Sequence, residues 1–205
     1  MKARLLAHTP LAPLREASGG LDVRSLLPHL GYTFAVERIS RACSHQLVRH
    51  RVASFSQQSQ RYITVKRLQE RVVTPPSVEK AGGAEFKGLV EEASVSYQLL
   101  VDKGVPKEDA RFVLPNAAET SLLMTMDGRS LFHFFGLRCC NRAQWEIRAL
   151  ADAILEEARA AEPEVFSLAG PYCYQLGYCP EGRFTCGRMQ EAVDRYKAKP
   201  PESCA

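Results

Sequence analysis

The chain has 205 residues, 45% of them hydrophobic and 24% charged, with a formal charge of +4. That length supports a hydrophobic core, and a composition this close to the globular average excludes wholesale disorder. No apolar stretch is long enough to span a bilayer, and the start MKARLLAHTP lacks the apolar run of a signal peptide, so a cytoplasmic protein with no membrane partner is expected.

In chain order, residues 3–8 suit a first strand. Residues 9–28 carry Pro10, Pro13, Gly19, Gly20 and Pro28, and read as irregular with at most one short helix. Residues 32–37 (YTFAVE) have the aromatic and β-branched content of a strand, and Ser40 is placed to cap a helix running to Val48. Thr74-Pro75-Pro76 is a break. From 84 to 103 the apolar residues Phe86, Leu89, Val90, Ala93, Tyr97 and Leu100 recur at helical steps, with Gly104 as the terminating residue. Pro106 opens a second helix ending near Pro115; Ala117 to Met126 reads as a strand and Gly128 to Leu137 as a short buried helix. Asn141 is expected to cap a last long helix over 142–161, with Trp145 in the core.

Seven cysteines (43, 139, 140, 173, 179, 186 and 204) form no regular framework, which argues against a secreted disulfide scaffold. The trio Cys173, Cys179, Cys186 lacks the close C-x-x-C pair of a zinc ribbon, so reduced thiols and no metal site are expected.

The chemistry concentrates in residues 49–62, RHRVASFSQQSQRY. Arginine presents a planar fork that fits phosphate oxygens two at a time, and the Ser and Gln side chains can complete the coordination and read a base edge. If residues 49–51 are extended, Arg49 and Arg51 point one way and His50 the other. A solvated basic face or an RNA-binding tract is the alternative. Ala53, Phe55 and Tyr62 interrupt the first, and the scarcity of stacking rings weakens the second. Read alone, the block indicates anion binding; catalysis does not follow from it.

This block resembles the signature of the flavin-dependent thymidylate synthases, R-H-R-x-x-S-x-N-x-x-S-x-R-Y. It agrees at Arg49, His50, Arg51, Ser54, Ser59, Arg61 and Tyr62, with Ser56 in place of the internal Asn. ISRACSHQLV (39–48), RSLFHFFGLRCCNRAQWEIR (129–148) and GYCPEGRFTCG (177–187) resemble flanking family segments. The resemblance implies an α+β fold, a single domain over 1–190 with long helices packed on a mixed sheet, a tail at 191–205, and a homotetramer. It implies conversion of dUMP to dTMP with FAD as cofactor and NADPH and methylenetetrahydrofolate as co-substrates, and no nucleic-acid partner.

By the same resemblance Gln46, Arg49, Gln57, Gln58, Ser59, Arg61, Arg111 and Arg138 hold dUMP, and Arg138 is the catalytic residue, a cation that favours loss of the uracil N3 proton. Arg49, His50, Arg51, Asp127, Arg129, His133 and Arg142 border FAD. Gln144, Trp145 and Glu146 are expected to fix a helix. Two departures stand out: residues 9–31 are too short for the family's N-terminal FAD element, with Leu27-Pro28-His29 its only trace, and Asp127 replaces an amide. The alternative they suggest is a degenerate paralogue that binds nucleotide or flavin without efficient turnover.

Overall fold

The computed structural model describes residues 1–197; residues 198–205, with Cys204 and most of the expected tail, lie outside the described residues. The described residues form helices and one four-stranded sheet. In order, its elements are β1 (Lys2–His8), α1 (Leu11–Ala17), α2 (Val23–Leu26), β2 (Gly31–Ser40), α3 (Arg41–Leu47), β3 (Ser54–Gln57) and α4 (Pro76–Asp102). There follow α5 (Lys107–Ala110), β4 (Glu119–Asp127), α6 (Gly128–Arg138), α7 (Trp145–Ala161), α8 (Pro163–Phe166), α9 (Tyr172–Leu176) and α10 (Met189–Tyr196). Single 3-10 turns occupy 27–29, 68–70, 111–113 and 182–184. The strand order is β1-β2-β4-β3.

Backbone packing divides the chain into two units, and β2 and β4 run through both. The first comprises Val36–Arg49 and Ser56–Leu122; the second comprises Lys2–Ala35, His50–Phe55 and the described residues from Leu123 onward.

The first unit is built on α3 and α4. Ser40 caps α3 as its sequence predicts, its hydroxyl accepting the Cys43 N–H at 2.9 Å. Helix α4 starts two turns earlier than the apolar repeat indicates, because Pro76 sits where a proline is tolerated, in the first turn, where no intrahelical N–H is needed. Gly82 interrupts its helical geometry. Gly104, at φ +82°, ends it: the Gly104 and Val105 N–H groups return to the carbonyls of Val101 and Leu100. Only Val90 and Tyr97 of α4 are buried; Val90 packs with Leu68 and Ala118 into a small core, and the Tyr97 hydroxyl accepts the Val65 N–H at 3.4 Å. Leu89, Val95 and Leu99 stay exposed. Pro106 acts as the cap of α5, and the expected helix to Pro115 is one short turn followed by the 3-10 turn.

The second unit has the denser core. Leu131, Phe134 and Phe135 of α6, and Ile147, Leu150, Ile154 and Leu155 of α7, are buried with Tyr32, Phe34 and Phe166. Phe166 meets Tyr32 edge to face at 5.0 Å and stacks on Phe132 at 5.8 Å. Helix α7 packs along β1, and the Glu157 carboxylate accepts the Leu5 N–H at 2.8 Å.

Four expectations are corrected here. Residues 9–31 are folded rather than irregular: α1 begins directly after Pro10, and Asp22 caps α2. Helix α7 begins at Trp145, capped by the Gln144 side chain, which accepts the Glu146 and Ile147 N–H groups; Asn141 lies upstream in a turn. Trp145 is only half-buried, and Glu146 is the buried neighbour, at 3% exposure. A boundary at 190 falls inside α10, which is anchored by buried Ala192 and Tyr196. The Tyr196 hydroxyl donates to Asp152 at 2.5 Å and lies 3.1 Å from the Cys139 carbonyl oxygen.

Candidate functional site

The Arg/Ser/Gln block does not run as one strand. The chain turns after α3 and again at 51–53, and β3 begins only at Ser54. Residues 49–51 are therefore not extended, and the alternation expected of an extended run does not apply; Arg49 and Arg51 are exposed and His50 is buried.

In the first unit, the Gln57 amide donates to the Thr120 hydroxyl at 3.2 Å, and the Gln58 N–H bonds the Ser121 carbonyl at 3.0 Å. The Ser59 hydroxyl accepts the Arg61 N–H at 3.2 Å, closing a tight turn. Arg61 is ion-paired with Glu108 through Nη2 at 2.8 Å and lies 5.7 Å from the centre of the Tyr62 ring. Gln46 is half-buried on α3 and Arg49 is exposed beyond its end.

Arg111 sits in the turn after α5, its Nε donating to the Glu108 carbonyl at 3.0 Å. It shares a cavity of about 430 Å³ with Arg41, His45 and Gln60. Burial, and then the Arg111 charge, lower the Arg41 pKa from its ordinary value. Among the described residues neither guanidinium has a carboxylate partner. Two half-buried like charges without a counterion form a seat for an anion. Gln60 also borders a smaller cavity with Gln58 and Ser59. Arg41 belongs to the quoted segment 39–48, yet nothing in the sequence pairs it with Arg111.

In the second unit, the Arg138 Nε donates to His50 Nε2 at 2.9 Å. A guanidinium only donates, so Nε2 is the acceptor and the proton of a neutral imidazole resides on Nδ1. Burial first, then the charges of Arg138 and His133, bring the His50 pKa down to about 4, so the ring is neutral near pH 7. Phe134 packs against His50 edge to face at 5.1 Å. Arg138, at the last residue of α6, is thereby held by a buried uncharged partner.

Arg129 and His133 stand one turn apart on the exposed side of α6. His133 Nδ1 is hydrogen-bonded to the Tyr172 hydroxyl. Gly136 makes that contact geometrically accessible: a Cβ there would lie 2.6 Å from the Tyr172 ring. Asp127 caps α6, its carboxylate accepting the Ser130 N–H at 2.7 Å. Gly128 is equally constrained, since a Cβ would lie 3.0 Å from the Leu27 carbonyl oxygen. Arg142 donates to the Phe184 carbonyl. Arg129 also borders a cavity of about 660 Å³ with Arg24, Leu27, Pro28 and Phe132. Tyr172 is a second residue that sequence reading missed.

The structure thus gathers His50, Arg138 and His133 into one cluster and Arg111 with Arg41 into another. Arg49 and Arg51 remain exposed outside both, and Arg61 is engaged by Glu108.

Residues 16–164 match the Thy1 family, Thymidylate synthase complementing protein. A flavin-dependent thymidylate synthase of Geobacter sulfurreducens is 46% identical, over 93% of this chain and 96% of its own length. Another from Nitratidesulfovibrio vulgaris is 50% identical, over 80% of this chain and 71% of its own. The fold resembles a crystal structure of Thymidylate Synthase X from Helicobacter pylori with FAD and dUMP, at a TM-score of 0.67 and 24% identity, covering 81% of this chain and 97% of that one. On the family match and these identities, the chain belongs to the Thy1 family, that of the flavin-dependent thymidylate synthases.

Proposed function

We propose that this protein converts dUMP to dTMP, with methylenetetrahydrofolate as carbon donor, FAD as cofactor and NADPH as reductant. Family membership supports the reaction. The observation that carries the substrate assignment is the pair Arg41 and Arg111, two uncompensated guanidiniums facing one cavity. That is the chemistry a nucleotide phosphate requires.

Gln46, Arg49, Gln57, Gln58, Ser59, Arg61 and Arg111 are assigned to dUMP, with Arg41 added to them. Arg61 takes part by exchanging Glu108 for the nucleotide; its pair is exposed and therefore weak. Arg138 is the catalytic residue. A cation fixed beside uracil N3 stabilises the N3 anion, and each unit of pKa lowered is worth about 1.4 kcal/mol. The anion pushes electron density to C5, which attacks the folate's methylene carbon with no covalent enzyme nucleophile. The bond to neutral His50 holds the guanidinium in place without cancelling its charge.

The residues around α6 fit a flavin. Arg129, Arg142, Arg51 and Arg49 supply charges for its phosphates, and His50 and His133, with Tyr172, supply rings and polar edges for its planar system. Asp127 faces the N-terminus of α6, whose dipole favours its carboxylate. When bound, the reduced cofactor supplies the hydride that completes the methyl group.

The assembly is a homotetramer. Its support is the exposed apolar surface of the first unit: Leu89, Val95 and Leu99 on α4, Tyr62, and Phe112 at 83% exposure. Family sites form between subunits, so the two residue sets are completed by different chains. A cytoplasmic location accords with the free thiols of Cys139, Cys140, Cys173, Cys179 and Cys186, and among the described residues no helix is long and apolar enough to cross a membrane.

The test is to purify the protein and titrate dUMP into it. A flavin spectrum perturbed by dUMP supports the assignment. Colourless protein that binds dUMP and stays inactive with added FAD indicates the degenerate alternative. RNA binding with a steep salt dependence and no nucleotide affinity overturns it.

A further inference from the structure

Thymidylate synthesis makes no use of the cysteines of the C-terminal segment, yet four of them are brought together. Cys140, just beyond α6, Cys173 on α9, and Cys179 and Cys186 in the following loop all line one cavity of about 320 Å³. All four are half-buried free thiols. Cys173 lies within electrostatic reach of the other three.

The loop supplies a second, independent observation. Between residues 176 and 191 every side chain is exposed except Cys179, Cys186 and Met189. These three sulfur-bearing side chains all border the cavity. The loop therefore has no apolar core to hold it, and its inward-facing residues are thiols and a thioether. Gly177 and Gly187, at φ +77° and +71°, turn the backbone on either side of the two cysteines. Arg138 and Arg142 face the same cavity. Their charges offset the net negative charge that a divalent ion retains when four thiolates bind it.

We propose that Cys140, Cys173, Cys179 and Cys186 form a thiolate site for one zinc ion, which staples the C-terminal loop to the end of α6. Among the described residues no three donors stand in a ready-made coordination shell. The site is one that closes on its ion: the sulfurs move inward from the cavity wall to about 2.3 Å from the metal. Four cysteine thiols lose protons as four zinc–sulfur bonds form, and no oxidant or reductant is involved. A core-poor loop is the setting in which a structural metal contributes most to folding.

The experiment measures metal in the full chain, expressed with zinc and freed of any affinity tag. The expected result is about one zinc per chain, lost in Cys179→Ser and in Cys186→Ser. Chelated wild-type protein, kept reduced and titrated with cobalt(II), should give the strong thiolate-to-cobalt absorption of a tetrahedral sulfur site. The cobalt titration does not depend on either variant folding. Metal-free protein with no cobalt spectrum overturns the proposal, whether the thiols are then found free or paired as disulfides. So does zinc that persists undiminished in both serine variants.

Discussion

The two units hold their functional side chains in different ways. In the second, Arg138 rises from a helix with three buried apolar anchors, Leu131, Phe134 and Phe135, and is fixed by a buried neutral histidine. In the first, the arginines sit at the edge of a thin core: α4 buries only Val90 and Tyr97 along 27 residues, and Arg49 and Arg61 are exposed. On the proposed assignment, the group that would act on the base is already held in place, whereas those that would hold the nucleotide are exposed or only half-buried. Electrostatic catalysis rewards the first arrangement, since a cation already in place needs no reorganisation during reaction.

The largest expected contrast is in stability. Phe135→Ala removes a fully buried ring of the second unit and should cost ~3–5 kcal/mol in denaturant unfolding. Leu99→Asp on α4, where the side chain is 52% exposed, should leave the chain folded but abolish the proposed tetramer in sedimentation. Equal losses of stability at the two positions would erase the contrast.

Binding comes next. Arg41→Ala should weaken dUMP about tenfold or more by calorimetry, a hydrogen bond to a charged group being worth ~1.5–3 kcal/mol. FAD affinity should be unchanged; unaltered dUMP affinity would remove Arg41 from the phosphate seat.

The pH effect is smaller and has a definite sign. His50 has its pKa lowered from 6.5 to about 4 in the fold, so the unfolded chain takes up its proton first as pH falls. Stability from this group is complete above about pH 6.5 and is lost on descending toward pH 4. The imidazole signals of His50 in NMR should titrate near the lower value; titration at the ordinary position would show that the ring is not desolvated. The smallest effect is expected of Asp127→Asn. An amide oxygen can cap α6 as well as a carboxylate, so the fold should be unchanged while FAD binds a few-fold tighter through loss of like-charge repulsion. Equal affinities would clear Asp127 of weakening the flavin.

Much of the fold was legible where the signal is local. Ser40 before α3, Gly104 after α4 and the apolar run of α6 each act within a turn or two of themselves, and the start of α3, the end of α4 and the whole of α6 formed as read. Pro75-Pro76 misled because proline both breaks a helix and begins one, and only its neighbours decide which. The capping competition between Asn141 and Gln144 was settled by where the chain turns after α6, which no short window contains. The motif residues were legible as a block, but their partners were not. Arg41 and Arg111 are 70 positions apart, and His50 meets a guanidinium 88 positions away. Tyr172 reaches His133 only because Gly136 has no side chain to obstruct its ring.

The alignment with the Geobacter relative extends over 223 residues, more than the 205 of this chain, so that protein carries segments this one lacks. Whether flavin chemistry proceeds without them is answered most directly by tritium release from dUMP labelled at C5, with methylenetetrahydrofolate, FAD and NADPH present. Wild type should release tritium in an FAD-dependent manner, and Arg138→Ala should be slower by about a hundredfold or more while still binding FAD. No release from the folded, FAD-loaded wild type, or undiminished release from Arg138→Ala, would contradict the account.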